Sequence, residues 1–122
     1  MKVTRVLHVS VNAHRALDET RSFYQDLFGL DSKSRPEIPG IGGHWFALGE
    51  SELHLVDAPA GAEAIRPAGN HYCVAVDDLD AAIADLERAG IAYQRGAQGE
   101  VVQIWLADPA GNTIELQQDR HP

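Results

Sequence analysis

The sequence predicts an α+β fold in which two βαβββ modules form one cupped mixed sheet with the helices on its outer face. The order of strand-like and helix-like segments in the first half of the chain begins again in the second half. Matching residues recur at similar offsets, since His71 follows His8 by 63 positions and Trp105 follows Trp45 by 60. A length of 122 residues fits one domain. We therefore expect a single domain, 1–122, with module one at 1–57, a linker at 58–69 and module two at 70–118.

The first module opens with a segment, 3–12, in which apolar and polar side chains alternate, as in a half-buried strand. Residues 16–28 show helical spacing, and Gly29 stands where a helix C-cap uses a positive φ. The stretch 30–43 contains Pro and Gly and predicts a short strand at its start and then a loop. The side chains expected on the buried face of the helix are Leu17, Thr20, Tyr24, Leu27 and Phe28. A hairpin is expected from two further strands, 45–48 and 53–56.

The second module repeats this order after a stretch rich in Pro, Gly and Ala. Residues 79–89 predict an amphipathic helix, and Gly90 corresponds to Gly29. Each half has about 60 residues, a size at which a separate core is marginal. The two modules are therefore expected to bury surface against each other or against the same module of a second chain. The strands predicted in this half are 71–76, 91–94, 101–106 and 113–117.

The charge and the cysteine content restrict the possible partners and the compartment. The net charge is −8 without a Lys/Arg cluster, so neither nucleic acid nor an acidic membrane surface is an expected partner. No signal peptide and no transmembrane span are expected from the sequence. The single cysteine, Cys73, cannot form an intramolecular disulfide. This fits a reducing compartment, and a cytoplasmic location is the default expectation.

Four residues with metal-ligating side chains are predicted to share the concave face of the sheet. His8 and His71 open equivalent strands, and His54 aligns with Glu115 when the halves are superimposed. Taken singly, each is more often a solvated or hydrogen-bonded side chain than a ligand. Surface residues, however, have no reason to repeat at matching positions in two modules. Imidazole nitrogen and carboxylate oxygen suit divalent first-row metals, and three or four such ligands leave positions for a substrate.

Other reactive side chains have less specific interpretations. His14 and His121 are expected to be solvated, whereas His44, beside two glycines, is a weaker candidate for lining a pocket. Cys73 shares the face of His71, but no residue pattern identifies a base for it, and a small buried apolar role is favoured. Three large aromatic residues are expected either in the core or in a cavity wall, namely Trp45, Phe46 and Trp105.

Segments distributed over nearly the whole chain carry a family resemblance. They are Leu7-His8-Val9, the helix end SFYQDLFGL at 22–30, Gly69-Asn70-His71 and the ending DPAGNTIEL at 108–116. This pattern resembles the vicinal oxygen chelate superfamily, which includes glyoxalases, bleomycin-resistance proteins and extradiol dioxygenases. The helix end and the chain ending are specific for the superfamily and do not distinguish its reactions.

The resemblance implies paired modules around a divalent metal ion, either Zn, Ni, Fe or Mn. The usual metal positions of the superfamily match His8, His54, His71 and Glu115. The implied function is a metal-dependent enzyme of the lyase or isomerase, thiol transferase or dioxygenase type, acting on a small substrate that chelates through oxygen. In members of this length the modules commonly pair across a homodimer, which would place His8 and His54 on one chain with His71 and Glu115 on the other.

One position departs from the family pattern and keeps a second function open. His54 stands where lyases that resemble glyoxalase I place a Glu that acts as ligand and base, so Glu115 or His54 is the expected proton-transfer group. Glu52, on the same strand, is expected to lie outside the metal site and to serve as its control. The alternative function is sequestration of an aromatic or cationic small molecule, as in bleomycin-resistance proteins. The residues expected to hold such a ligand are Trp45, Phe46, Tyr72 and Trp105.

Overall fold

The structure is a computed structural model that describes residues 1–121. The first module contains β1 (Val3–Asn12), α1 (Leu17–Ser22), β2 (Ser32–Lys33), β3 (Gly42–Leu48) and β4 (Ser51–Asp57), and a π-helical turn (Phe23–Leu27) follows α1. The second module contains β5 (His71–Val76), α2 (Leu79–Ala89), β6 (Gln94–Gln98), β7 (Val101–Ala107) and β8 (Thr113–Gln118).

All eight strands join in one sheet with the order β2-β3-β4-β1-β5-β8-β7-β6. The first strand of each module lies at the centre, where β1 and β5 pair antiparallel. Within each module the first and last strands pair parallel, β1 with β4 and β5 with β8, and the remaining pairs are antiparallel. The predicted α+β fold with a mixed sheet is therefore confirmed.

Each module packs its apolar face against its own helix. The cluster under α2 consists of Val74, Val76, Leu79, Ala82, Leu86, Ile104 and Leu116. The cluster beside α1 consists of Ala13, Phe46, Leu53 and Leu55, with Leu17 and Tyr24 packed against it. Because strand side chains alternate, the residues between these apolar ones face the opposite side of the sheet. That side carries His8, His54 and His71. No helix among the described residues combines the length and the apolarity needed to cross a membrane.

The first helix differs from the prediction at its C-terminal end. Leu27 and Phe28 were expected on the buried face, yet they are 70% and 57% exposed. The chain leaves α-helical geometry at Phe23, and the N–H of Phe28 donates to the carbonyl of Phe23, five residues back. A π turn holds more residues than an α turn, so positions counted at 3.6 residues per turn are rotated out of register. Tyr24, at the start of the turn, still packs on the core.

Two strands begin later than predicted, for a common reason. The N–H of Ile91 donates to the carbonyl of Leu86, and Gly90, with φ 69°, donates to Glu87, which together form a Schellman cap. Ile91 therefore ends the helix, and β6 begins only at Gln94 rather than at 91. At the equivalent place, the N–H of Leu30 donates to the carbonyl of Tyr24 in the π turn, and β2 is a two-residue strand that starts only at Ser32.

Candidate metal centre

The concave face of the sheet encloses a cavity of about 420 Å³. This volume is in the range of pockets that hold small organic ligands. Loop residues of module one and of the linker form part of its wall, among them Arg35, Ile41 and Pro67. All four residues predicted for the site line the cavity, namely His8, His54, His71 and Glu115.

The strand register arranges the concave side chains in two neighbouring rows. The first row crosses β4, β1, β5, β8 and β7 through Glu52, His8, Cys73, Glu115 and Trp105. The second row crosses β3, β4, β1, β5 and β8 through Trp45, His54, Ser10, His71 and Thr113. Trp45 thus flanks His54 as Trp105 flanks Glu115, which is the correspondence that the alignment of the two halves predicts.

Three ligand-type atoms form a nearly equilateral triangle at the centre of these rows. His8 Nε2 lies 3.4 Å from His71 Nε2, and Glu115 Oε1 lies 3.3 Å from His8 Nε2 and 3.4 Å from His71 Nε2. A point about 2.1 Å from all three atoms, the usual distance of a divalent metal, lies roughly 0.8 Å above their plane. Three protein atoms on one side of an ion leave its other side open. The residues therefore fit a divalent metal with positions free for a substrate.

The tautomer of His71 agrees with this arrangement. His71 Nδ1 lies 3.0 Å from the carbonyl oxygen of Gly69, which can only accept a hydrogen bond. In the neutral ring, Nδ1 therefore carries the proton, and Nε2 presents its lone pair to the triangle.

The triangle is complete within a single chain. His8 comes from β1, whereas His71 and Glu115 come from β5 and β8, and the pairing of β1 with β5 joins the two modules. The family resemblance implies that two chains of a homodimer share these residues. One chain, however, is enough to bring all three together.

Glu115 is a fixed anion in the wall of the cavity. It is 1% exposed, and its Oε2 accepts hydrogen bonds from Gln117 Nε2 at 2.7 Å and from Gln103 Nε2 at 3.2 Å. Burial alone raises the pKa of this carboxyl. Without a bound metal, the rings of His71 and His8 donate hydrogen bonds to it when they carry a proton on Nε2, and these bonds outweigh burial and lower the pKa of Glu115 to about 2. Sequence reasoning missed both glutamines as partners, although Gln117 shares the strand face of Glu115.

His54 is held beside the triangle in a different way. Its ring is stacked between His8, with centroids 4.0 Å apart, and Trp45, with centroids 3.8 Å apart. Its Nε2 lies 2.8 Å from Glu52 Oε1, and Glu52 Oε2 accepts from Lys33 Nζ at 2.7 Å. Burial, followed by the charge of His8, lowers the pKa of His54 to about 4. His54 is therefore a neutral ring whose Nε2 bonds to Glu52.

Glu52 is thus part of the site, contrary to the expectation that it would serve as an independent control. It lines the cavity and contacts His54 directly. The sequence already indicated that Glu52 lies on the face of His54, since residues two apart on a strand share a face.

Cys73 offers a second set of ligand atoms, because those of His8, Cys73 and Glu115 lie within 4.8 Å of one another. Cys73 is fully buried. Burial, followed by the charge of Glu115, raises the pKa of its thiol well above the usual range. Since a thiolate is the form that binds metals and attacks electrophiles, the protonated thiol is a poorer ligand than the imidazole of His71. The preferred ligand triangle contains the two histidines and Glu115.

The predicted aromatic pocket is only half correct. Trp45 and Trp105 line the cavity. Phe46 is 0% exposed in the core beside α1, and Tyr72 is 41% exposed on the outer face. Phe46 follows Trp45 and Tyr72 follows His71 along their strands. Because side chains alternate along a strand, Phe46 and Tyr72 point to the outer face of the sheet.

Of two further histidines, His44 lies elsewhere than the pocket wall, and His14 is exposed as expected. His44 packs edge-on against the core residue Phe46 and bonds Ser32 Oγ through Nε2 at 2.8 Å, so it belongs to the outer face rather than to the pocket wall. His14 Nδ1 lies 3.1 Å from Asp57 Oδ1, so its ring is paired with a carboxylate at the surface.

The sequence matches a known protein family over residues 5–116, described as the Glyoxalase/Bleomycin resistance protein/Dioxygenase superfamily. The chain is 32% identical over 125 residues to "Glyoxylase I 4" of Arabidopsis thaliana, covering 95% of this chain and 71% of that protein. It is 30% identical over 133 residues to the mitochondrial methylmalonyl-CoA epimerase of Mus musculus, covering 96% of this chain and 74% of that protein.

Solved structures share the fold. A glyoxalase/bleomycin resistance protein/dioxygenase superfamily member from Vibrio splendidus has a TM-score of 0.70 at 17% identity, covering 97% of this chain and 100% of that one. The 2,3-dioxygenase LapB from Pseudomonas has a TM-score of 0.72 at 24% identity, covering 98% of this chain and 42% of that one. Together with the match over residues 5–116, these similarities show that the chain belongs to the Glyoxalase/Bleomycin resistance protein/Dioxygenase superfamily.

Proposed function

We propose that the protein is a metal-dependent enzyme acting on a small substrate that presents two neighbouring oxygen atoms. The observation that carries this proposal is the triangle of His8 Nε2, His71 Nε2 and Glu115 Oε1, with sides of 3.3 to 3.4 Å. Two imidazoles and one carboxylate suit Zn, Ni, Fe or Mn. When bound, such an ion would polarise a substrate oxygen or lower the pKa of a bound water.

Proton transfer is assigned to His54, oriented by Glu52. The hydrogen bond from His54 Nε2 to Glu52 leaves Nδ1 of the neutral ring with its lone pair. A proton accepted at Nδ1 makes an imidazolium, which the Glu52 carboxylate stabilises. Glu115, with a pKa of about 2, is the weaker base of the two and is assigned to metal binding. His54 itself is a possible fourth ligand only if its bond to Glu52 is exchanged.

Among the reaction types open to the family, this pair favours proton transfer, as in a lyase, isomerase or epimerase. The relatives that share about 30% identity are named a glyoxylase I and an epimerase. The dioxygenase LapB is similar in fold only.

Metal content tests the proposal directly. Protein purified without added metal should contain a divalent ion or take up Ni, Zn, Mn or Fe in equimolar amount after treatment with a chelator. The His8→Ala variant should lose this uptake, whereas His14→Ala, which removes a surface histidine, should retain it. The proposal would be contradicted if the purified protein contained less than about a tenth of an equivalent of metal and took up none of the four metals.

A second candidate function is non-catalytic binding of an aromatic or cationic molecule. It is favoured by Trp45 and Trp105, which line the cavity from opposite modules. Sequestration requires no metal, so affinity for such a ligand should survive EDTA. Loss of binding in EDTA and its return with metal would exclude this function in favour of the first.

We also propose that the protein is a cytoplasmic homodimer. The single cysteine is compatible with a reducing compartment. Support for the dimer comes from apolar side chains exposed on the outer face of the two central strands, between the areas covered by the helices. They are Val6, Val9 and Tyr72.

A further inference from the structure

Arg35 is a cation in the cavity wall that has no carboxylate partner among residues 1–121. Its Nη2 donates to the carbonyl oxygen of Ile41 at 2.8 Å, and its Nε is buried without a hydrogen-bond acceptor. Of the five N–H donors of this guanidinium, the one on Nε is thus buried and unused. Buried donors are normally paired, and an unpaired one in a cavity indicates that something else supplies the acceptor.

The backbone of β3 makes room for this side chain. A Cβ added at Gly43 would lie 3.1 Å from Arg35 Nε, 3.2 Å from Arg35 Nη2 and 2.3 Å from the carbonyl oxygen of Leu55. The guanidinium therefore packs directly against the strand, where a larger residue would displace it. Arg35 is built into the wall and is not a freely moving surface side chain.

Gln98 provides a donor of the same kind from the second module. It lines the same cavity, and its Nε2 is also buried without an acceptor. Among the described residues, Arg35 Nε and Gln98 Nε2 are the buried side-chain nitrogen or oxygen atoms that have no hydrogen-bond partner. Both are donors and both belong to this cavity, so the missing partner is an acceptor that enters it.

We infer that Arg35 and Gln98 form a carboxylate subsite and that the ligand of this cavity is a small organic acid. This inference deepens the proposed function because it uses the same cavity, but it does not require a bound metal. A carboxylate is planar and only accepts hydrogen bonds, which matches the forked donors of a guanidinium. Ile38 and Ile41 give the adjoining wall an apolar surface for the organic part of the acid.

The other fixed charges of the cavity help to orient such a ligand. Glu52 and Glu115 also line it, and their oxygens already accept hydrogen bonds from neighbouring side chains. These carboxylates repel an anion, whereas Arg35 attracts it. The acid group is thereby directed toward Arg35 and away from Glu115.

The test compares two probes of similar shape, 3-phenylpropanoate and 3-phenylpropanol, on protein freed of metal with EDTA. Trp45 and Trp105 line the cavity, so tryptophan fluorescence reports occupancy. We expect the acid to bind at least about 10-fold more tightly than the alcohol, the effect typical of one charge-assisted hydrogen bond. Arg35→Gln should remove that preference while leaving binding of the alcohol unchanged, and Gln98→Leu should weaken binding of the acid alone.

Arg95→Gln is the matched control, since Arg95 is an exposed cation on β6 and its loss changes the net charge equally. Equal affinity for acid and alcohol, or equal weakening in Arg35→Gln and Arg95→Gln, would overturn the inference. If Arg35→Gln fails to fold by circular dichroism, Gln98→Leu decides, and an unchanged acid preference in it counts against the subsite. Metal uptake is measured separately, so its absence in a protein that still prefers the acid would refute only the metal-dependent function.

Discussion

The imidazole of His54 lies flat against the indole of Trp45, with ring centroids 3.8 Å apart and planes within 1° of parallel. His8 covers the other side of the imidazole at 4.0 Å. Both faces of the ring are thus shielded from water, and the charged form of the ring loses hydration. This burial, with the nearby charge of His8, accounts for the lowered pKa of His54.

The first prediction concerns this stack. Replacing Trp45 with Leu removes one shielding face, so the pKa of His54 should rise from about 4 toward its ordinary value of 6.5. Titration of the metal-free protein by NMR, following the ring nitrogens of His54, measures the change. Trp105→Leu is the control, because Trp105 contacts His71 and not His54. An unchanged His54 pKa in Trp45→Leu would mean that the indole does not control the hydration of the ring.

The second prediction is a loss of stability of the metal-free protein in mild acid. Between pH 6.5 and about 4 the unfolded chain protonates His54 and the folded chain does not, so the free energy of unfolding falls as the pH is lowered through this window. The contribution is on the order of 2–3 kcal/mol. Urea unfolding measures the free energy of unfolding at pH 7 and at pH 4.5. The difference between the two values should be smaller for His54→Gln than for wild type. His121→Gln, in the exposed C-terminal tail, should keep the wild-type difference.

Much of the fold could be predicted because side chains alternate between the two faces along most of each strand, although a register shift in β1 between Val6 and His8 interrupts this pattern. Residues 71–76 and 79–89 were predicted with the bounds that the structure has, since a stretch rich in Pro, Gly and Ala precedes the strand and a glycine cap ends the helix. The π turn after α1 could not be predicted, because a shift from four-residue to five-residue hydrogen bonding leaves the apolar pattern almost unchanged. The exposure of Leu27 and Phe28 follows from that shift.

The concave-face position of His8, His54, His71 and Glu115 also followed from alternation and from the internal repeat. The contacts that distinguish the roles of these four residues could not be predicted in the same way. Whether His54 faces the triangle or bonds Glu52 depends on side-chain rotamers, which the sequence pattern does not encode. Arg35 was missed because it comes from the irregular segment between β2 and β3, where no periodicity shows which side chains face the cavity.

The third prediction concerns assembly. Val9 and Tyr72 are cross-strand neighbours on β1 and β5, and both are exposed on the outer face. If this surface is buried in a dimer, light scattering at micromolar concentration should give twice the chain mass of 13.3 kDa. Tyr72→Glu should convert the protein to monomer, since it would bury a charge in the interface. Leu48→Glu, at an equally exposed apolar side chain near the β3–β4 turn, should not. A wild-type mass of one chain would refute the dimer.

The fourth prediction concerns Glu115, the carboxylate of the triangle. Glu115→Gln keeps the size of the side chain but removes the charge and the anionic oxygen that faces His8 and His71. Metal affinity, measured by calorimetric titration with Ni or Zn, should fall by at least the 10- to 100-fold that changes in the surroundings of a metal site typically cause. The fold should persist, because the apolar side chains on either side of Glu115 pack on the opposite face of β8.

The control for this substitution has to lie away from the cavity, so Glu52 is unsuitable. Glu50 occupies the exposed turn between β3 and β4, and Glu50→Gln removes the same charge without touching a histidine of the site. Its metal affinity should equal that of wild type. Unchanged affinity in Glu115→Gln, or an equal loss in Glu50→Gln, would show that the carboxylate of Glu115 does not ligate the ion and that the metal, if it binds, is held elsewhere.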